Sequence, residues 1–425
     1  MTKPSRDELR AEVEALFAPP GLSADGPGAV GVELELIPVR TDPGGRCTQL
    51  PLSDLKPFVR SVLGVESEAG DQGSKPAIDL TGGGRITFEP GGQVEYSGRP
   101  ASSAREAGEE LREIAGALRR AAAEAGIQLL DRGIVDPAAA GPVDLQLSGA
   151  RYRAMENHFD RIGPWGRVMM CRTASMQLNL DLGPPEAAAA RWRLAELLVP
   201  VLGGAFANSP MILPDGSRAS SARLWLWRRV DPRRTGFVTI LPGETTPEAY
   251  LRFALEAPVI LRRDGQGTEA GDGRAFIEWW RDRGEKRPPA IADWTVHLST
   301  LFPHVRPRRR LELRFLDTPR EAWWDVPLVV IPALLYDDEA CRAATRVLEP
   351  LSIRLEEATE MAAHDGVADP VIGRMAEEIF GLALEAAPRM PDYFGATQVS
   401  MAEAFFSRFT SRRRTQADDE ECSGG

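Results

Sequence analysis

Several short runs of the sequence set acidic or amide side chains at every second position, with apolar residues between them. In Gly31-Val-Glu-Leu-Glu-Leu-Ile37, Glu33 and Glu35 share one parity while Val32, Leu34 and Leu36 share the other. Successive side chains of a strand point to opposite faces, so both acids fall on one face. Leu311 to Phe315 likewise opposes Glu312 and Arg314 to Leu311, Leu313 and Phe315. Read as one strand, Arg172 to Leu182 sets Thr173, Ser175, Gln177, Asn179 and Asp181 against Ala174, Met176, Leu178, Leu180 and Leu182. A fourth segment, Phe88 to Gly98, is broken by Pro90-Gly91-Gly92 and resumes with Gln93 and Glu95 on one face, so that Glu89 and Glu95 can turn the same way. A water-facing edge explains any one of these strands, and a plain hairpin with two surface acids explains the last. Four together favour a sheet that lines a polar cavity.

The chemistry such a cavity suits follows from its donors. Glu33, Glu35, Glu89, Glu95 and Glu312 are candidate metal ligands, Gln177 and Asn179 neutral oxygen donors, and Arg172 and Arg314 counter-ions. Hard oxygen ligands without thiolate or imidazole favour Mg²⁺ or Mn²⁺ over zinc. Carboxylates crowded on one sheet repel one another unless cations neutralise them. Arginines beside such cations match the oxygens of a polyphosphate. The pattern predicts metal-assisted phosphoryl transfer. No phosphate-binding P-loop is present, since Gly82-Gly83-Gly84-Arg85 lacks the lysine and hydroxyl, and no hydrolase, zincin or kinase motif occurs. ATP would then be held by metals and arginines over an antiparallel sheet.

The elements that position these residues can be read around them. Ser103-x-x-Glu106 is a capping box that opens a helix running to Gly126. Further helices are expected from Pro185 to Gly203, from Thr246 to Glu256, and through most of 321–410, where Pro350, Pro370 and Pro388 separate the pieces. Asp264 to Arg274 reads as a polar Gly-rich surface loop, and 411–425 as a disordered tail after a single catalytic domain over 1–410. Cys47, Cys171, Cys341 and Cys422 form no metal or disulfide pattern, and none of His158, His297, His304 and His364 is assigned a role. The 425 residues carry 51 basic and 62 acidic side chains, and 51 − 62 = −11 argues against nucleic acid as partner. The longest nearly apolar run, Leu328 to Tyr336, is too short for a membrane span, and the charged N-terminus lacks a secretory signal, so a cytoplasmic location is expected.

Met169 to Asp181 resembles the M-M-x-x-T-A-S-x-Q-x-N-x-D segment of the glutamate-cysteine ligases of plant and actinobacterial type. The resemblance continues in G-x-E-x-E at Gly31, F-E-P-G-G-Q-x-E at Phe88, A-N-S-P at Ala207, D-P-x-R-T-G at Asp231 and L-F-P-x-V-R-P-R-x-x-L-E-L-R at Leu301. Among relatives the chain looks closest to the ligase that serves ergothioneine synthesis. The resemblance implies an α+β, glutamine-synthetase-like catalytic domain, with a curled antiparallel sheet and flanking helices. It implies ATP-dependent joining of the γ-carboxylate of L-glutamate to the amino group of L-cysteine through a γ-glutamyl phosphate. It places metal-ligating carboxylates at Glu33, Glu35, Glu89, Glu95 and Glu312. Arg172 and Arg314 would stabilise the transferring group, and Arg223 and Arg234 would touch nucleotide or glutamate, with Arg306 and Arg308 second choices. The chain departs from the family at Arg309-Arg310 and at Trp227-Arg228-Arg229-Val230, both near the presumed mouth. The amine is therefore the open point, and a glutamate-amine ligase of the same fold with another amine is the alternative.

Overall fold

The computed structural model describes residues 3–18, 27–42, 47–65, 76–135, 145–264 and 267–419. Its frame is an open antiparallel sheet built on β1 (Val30–Thr41), which is long enough to serve two sets of partners. The first half of β1 lies between β5 (Val94–Ser97) and β7 (Ser175–Leu180), and its second half pairs with β2 (Cys47–Gln49) and β6 (Gln128–Leu130). That exchange of partners curls the sheet. Beyond β5 come β4 (Arg85–Phe88) and β3 (Ala77–Asp79), and beyond β7 come β13 (Leu311–Asp317) and β12 (Val305–Pro307). Two short hairpins, β8 (Met211–Ile212) with β9 (Arg218–Ala219) and β10 (Leu261–Asp264) with β11 (Gly267–Ala270), stand apart.

The apolar parity of each strand faces the core as the alternation requires. Val32, Leu34, Leu36, Met176, Leu178, Leu180, Leu311 and Leu313 are at most 2 % exposed. Truncating one of them, such as Leu178→Ala, should cost about 2–5 kcal/mol. Helix Pro185–Ala205 packs against this side of β13, and helix Ala104–Glu124 touches β1 and β5. The run Leu328 to Tyr336 lies in helix Asp325–Tyr336, every residue of which is buried among the helices Ala104–Glu124, Asp338–Leu348, Pro370–Ala386 and Ala396–Arg408. A helix that is apolar all round belongs inside a bundle. Among the described residues no helix is long and apolar enough to cross a membrane.

The α+β expectation agrees with this architecture, and several boundaries differ from it for local reasons. Helix Thr246–Glu256 matches, and Pro185–Ala205 runs two residues further than expected. Ser103 does cap the helix through the Glu106 amide at 3.2 Å, but Glu106 turns to Ser102 and Arg99 instead of closing the box. Asp264 to Arg274 is not one loop, because β10 and β11 pair across it; residues 265–266 lie outside the described residues. The expected tail is ordered as far as 419: a 3₁₀ turn at Thr410–Arg412 buries Thr410, another at Gln416–Asp419 buries Gln416 and Ala417, and Asp419 pairs with Arg408 at 2.8 Å and Arg414 at 3.1 Å. Residues 420–425, with Cys422, lie outside the described residues.

Candidate active site

On the polar side of the sheet the strand registers set the acids beside one another. Glu35 lies directly across from Glu95, and Glu33 across from Gln177. The β4–β5 turn supplies Glu89. Its Glu89 amide donates to Gln93 O (2.9 Å) and the Gly92 amide to Glu89 O (2.8 Å), with Gly92 at φ 88°, a left-handed conformation suited to glycine. Gly91 presses on the helix end behind it, where a Cβ would come within 2.2 Å of the Cys171 carbonyl oxygen. The Gln93 amide ties the turn to the carbonyls of Thr173 (2.9 Å) and Met170 (3.3 Å). Gly91, Gly92 and Gln93 of the F-E-P-G-G-Q-x-E segment thus each have a steric or hydrogen-bonding task. The outcome is a cluster in which one carboxylate oxygen each from Glu35, Glu89 and Glu95 lies within 4.8 Å of the others.

These acids and their supports line a cavity of about 650 Å³ together with Glu33, Gln177, Arg223 and Arg314. Glu35 accepts from the Ser175 amide (2.8 Å), the Ser175 hydroxyl (3.1 Å) and the Gln177 amide (3.2 Å). Arg314 donates to the Gln177 carbonyl at 2.5 Å, so Gln177 joins an arginine on one side to a carboxylate on the other. Thr87 and Ser97 donate to Glu95 at 2.5 and 3.2 Å. Burial, with Glu95 and Glu312 nearby, pushes the Glu33 carboxyl up to about 7. Burial and Glu95 likewise raise Glu35. Burial first, and the neighbouring acids second, thus disfavour the charged form of Glu33 and Glu35, and a divalent cation would offset that cost. With only carboxylate oxygens in the cluster, the donor set fits Mg²⁺ or Mn²⁺.

Other expected site residues are placed differently. Glu312 is fully buried and does not line the cavity wall; Arg306 binds it through Nε and, at 2.8 Å, Nη2, while Arg308 lies at 3.3 Å and Arg314 at 3.4 Å. Burial works to raise its carboxyl, but these arginines carry it below the usual carboxylate range. Asn179 stands behind the wall, donating to Glu33 at 3.0 Å. Arg172 is not on a strand: helix Trp165–Arg172 ends there and β7 starts at Ser175, leaving Arg172 buried away from the cavity lining. Arg234 is fully buried, binding the Thr300 and Pro258 carbonyls and Asp231, which also meets His158 at 2.9 Å. The D-P-x-R-T-G segment is thus a packing knot behind the site. Arg223 does reach the cavity, held by the carbonyls of Arg314 (2.7 Å) and Leu316 (3.2 Å) with Trp227 stacked beneath it.

Nor do the basic departures line the mouth as expected. Arg228 and Arg229 grip Glu360 on helix Leu355–Asp365 at 2.6 and 2.7 Å. Arg309 takes φ 59° at the β12–β13 turn, a backbone state in which glycine is the easy residue. Sequence reading also passed over lining residues. Thr87 and Ser97 stand across from and beside Glu95, and their parity with it was the available signal. Arg151, Tyr152 and Met155 come from helix Ala150–Asp160, whose face toward the cavity follows only from tertiary packing.

Comparison with known proteins accords with this geometry. Residues 29–391 match the model of glutamate-cysteine ligase family 2. The chain is 33 % identical over 400 residues to the glutamate-cysteine ligase EgtA of Mycolicibacterium smegmatis, covering 93 % of this chain and 87 % of that one. It is 37 % identical over 326 residues to EgtA of Mycobacterium tuberculosis, covering 75 % and 73 %. The crystal structure of a glutamate-cysteine ligase of Francisella tularensis in complex with AMP superimposes with a TM-score of 0.52 at 14 % identity, over 90 % of this chain and 82 % of that one, a likeness of fold. This chain belongs to the glutamate-cysteine ligase family, and it is a ligase of that family.

Proposed function

We propose that this protein joins the γ-carboxylate of L-glutamate to the amino group of L-cysteine with ATP, and that Glu33, Glu35, Glu89 and Glu95 hold Mg²⁺ or Mn²⁺ at the reacting phosphates. The observation that carries the reading is the three-carboxylate cluster beside Arg314 in the main cavity of a chain of this family. A carboxylate is a poor acyl donor. Attack of its oxygen on the γ-phosphorus of ATP releases ADP and leaves a γ-glutamyl phosphate. The amine then attacks the acyl carbon, phosphate departs, and the amine loses a proton. The divalent cation, when bound, supplies charge neutralisation to the phosphate oxygens.

The chain's own groups do the remainder. Arg314, oriented by Gln177 and Glu312, offers a cationic donor to the transferring phosphoryl group or the γ-carboxylate, and Arg223 provides a second one. Glu312 serves as the counter-charge that keeps Arg306 and Arg314 fixed. Asn179, Ser175 and Gln177 orient the acids so that little reorganisation is needed as charge moves. Arg172 and Arg234 act through packing. The γ-glutamylcysteine formed would supply ergothioneine or another small thiol.

The test is ADP release with ATP and glutamate fixed and the amine varied, with and without EDTA. Cysteine should be the best amine, 2-aminobutyrate should substitute because the amine and not the thiol attacks, and EDTA should abolish turnover until Mg²⁺ or Mn²⁺ is restored. Turnover with another amine and none with cysteine would move the assignment to the alternative ligase. Activity indifferent to EDTA, or restored only by zinc, would remove the metal.

A further inference from the structure

The matched family region begins at residue 29, yet the cavity has a wall that precedes it. Helix Arg6–Phe17 opens with a capping box, Ser5 with Glu8, and buries Leu9 and Val13 completely. Its backbone is tied down along its length: Trp280 donates to Pro4 O (2.9 Å), Trp294 to Leu9 O (3.1 Å), and the Arg309 amide to Leu16 O (2.6 Å). Phe17 packs on Trp192 and Tyr250 with ring centroids at 5.3 and 6.0 Å. One turn apart on this anchored helix, Glu12 and Leu16 both line the cavity.

Glu12 differs from the acids of the sheet. It makes no side-chain hydrogen bond or ion pair among the described residues, while Glu33 and Glu35 are held by their strand neighbours. The same cavity is lined by Arg151, Arg306 and Arg308, of which Arg306 is taken up by Glu312 and the Leu301 carbonyl. Arg151 and Arg308 with a single separate carboxylate are the complement of a zwitterion, whose carboxylate meets guanidinium and whose ammonium meets Glu12.

We propose that Glu12 is a specificity-determining residue that binds the α-ammonium group of an amino-acid substrate, an inference that rests on the ligase reading above. Both amino acids of the proposed reaction carry that group. In glutamate it stays charged throughout; in cysteine it is bound as ammonium and loses its proton before attack. The full chain with Glu12→Gln decides between them and tests the idea. Absence of ADP release by the unsubstituted protein with ATP, glutamate and cysteine would count against the ligase reading itself. Given turnover, E12Q should raise the KM of one amino acid about tenfold, leaving kcat and the KM for ATP within about twofold, with Glu12→Asp recovering part of the loss. A raised KM for glutamate, with inhibition by glutarate unchanged because it has no ammonium, assigns the site to glutamate. A raised KM for cysteine, with inhibition by 3-mercaptopropionate unchanged, assigns it to cysteine. Unaltered KM values for both, or an equal weakening of the ammonium-free inhibitors, overturn the proposal.

Discussion

Glu35 on β1 and Glu312 on β13 hang from the same face of one sheet with only β7 between them, and their environments drive them in opposite directions. Burial and Glu95 raise the Glu35 carboxyl, whereas around Glu312 three arginines outweigh burial. Around Glu312 the arginines prevail; around Glu35 burial and a facing acid prevail over the arginines Arg223 and Arg314. Residue type and strand parity are identical in the two places. The difference lies in what neighbouring elements bring, and under the proposed function it separates a carboxylate held by arginines from one that would ligate a metal.

The largest expected effect tests the arginine-held side. Glu312→Gln leaves the buried Arg306 guanidinium without its counter-charge and should destabilise the fold by about 3–5 kcal/mol, read as a lower urea midpoint at pH 7. A depressed folded-state pKa means this contribution is present above the unfolded value near about 4.3 and is lost as pH falls below it, so the gap between variant and parent should narrow in acid. Glu35→Gln should show no such loss in metal-free protein, because it removes one of several repelling acids. Equal destabilisation by the two substitutions would mean that Glu35 and Glu312 are held alike.

The open side should answer in rate instead. Glu35→Gln and Glu95→Gln should each lower kcat at least about a hundredfold, roughly 2.7 kcal/mol of transition-state stabilisation, with melting temperature held or raised. Normal kcat in a folded variant would make these acids scaffolding.

Much of this contrast was legible in the sequence and some could not be. Parity alone put Glu33, Glu35 and Glu95 on a polar face and Leu178 or Leu313 on the buried one, since a strand's period is local. The sheet's curl, in which β1 changes partners halfway, depends on β2 and β6 and has no local signature. Glu312 and Glu35 look alike in sequence because Arg306 reaches Glu312 only after β12 folds back on β13. Arg172 was grouped with the polar face although it has the parity of Ala174 and Met176, and it lies in the last turn of helix Trp165–Arg172, three residues before β7 begins.

A third buried acid sharpens the comparison by lacking both cations and acids. Glu196 in helix Pro185–Ala205 is pushed up to about 8 by burial, against a smaller pull from the Val238 amide. Because the folded value exceeds the unfolded one, stability should fall as pH rises from about 4.3 toward 8 and then level off. Glu196→Gln should therefore stabilise the protein by about 2 kcal/mol at pH 9 and by nothing at pH 4, measured by chemical denaturation at both. A gain independent of pH would mean the carboxylate is not the source.

The smallest effect concerns Arg228 and Arg229, which departed from the family pattern and were expected near the mouth. Each pairs with Glu360, and Arg229 also lies over the Trp225 ring at 4.1 Å, so they bind helix Ala222–Val230 to helix Leu355–Asp365 outside the cavity lining. Both side chains remain partly exposed, 23 % and 35 %, and solvent screens such pairs. Arg228→Ala should lower stability by at most about 1 kcal/mol and leave the ratio of kcat/KM for cysteine to that for 2-aminobutyrate unchanged. Trp227 is the residue of this run that does line the cavity. If Arg228→Ala altered the amine ratio, the boundary between the catalytic cavity and the helical scaffold would have to be moved outward to include this ion pair.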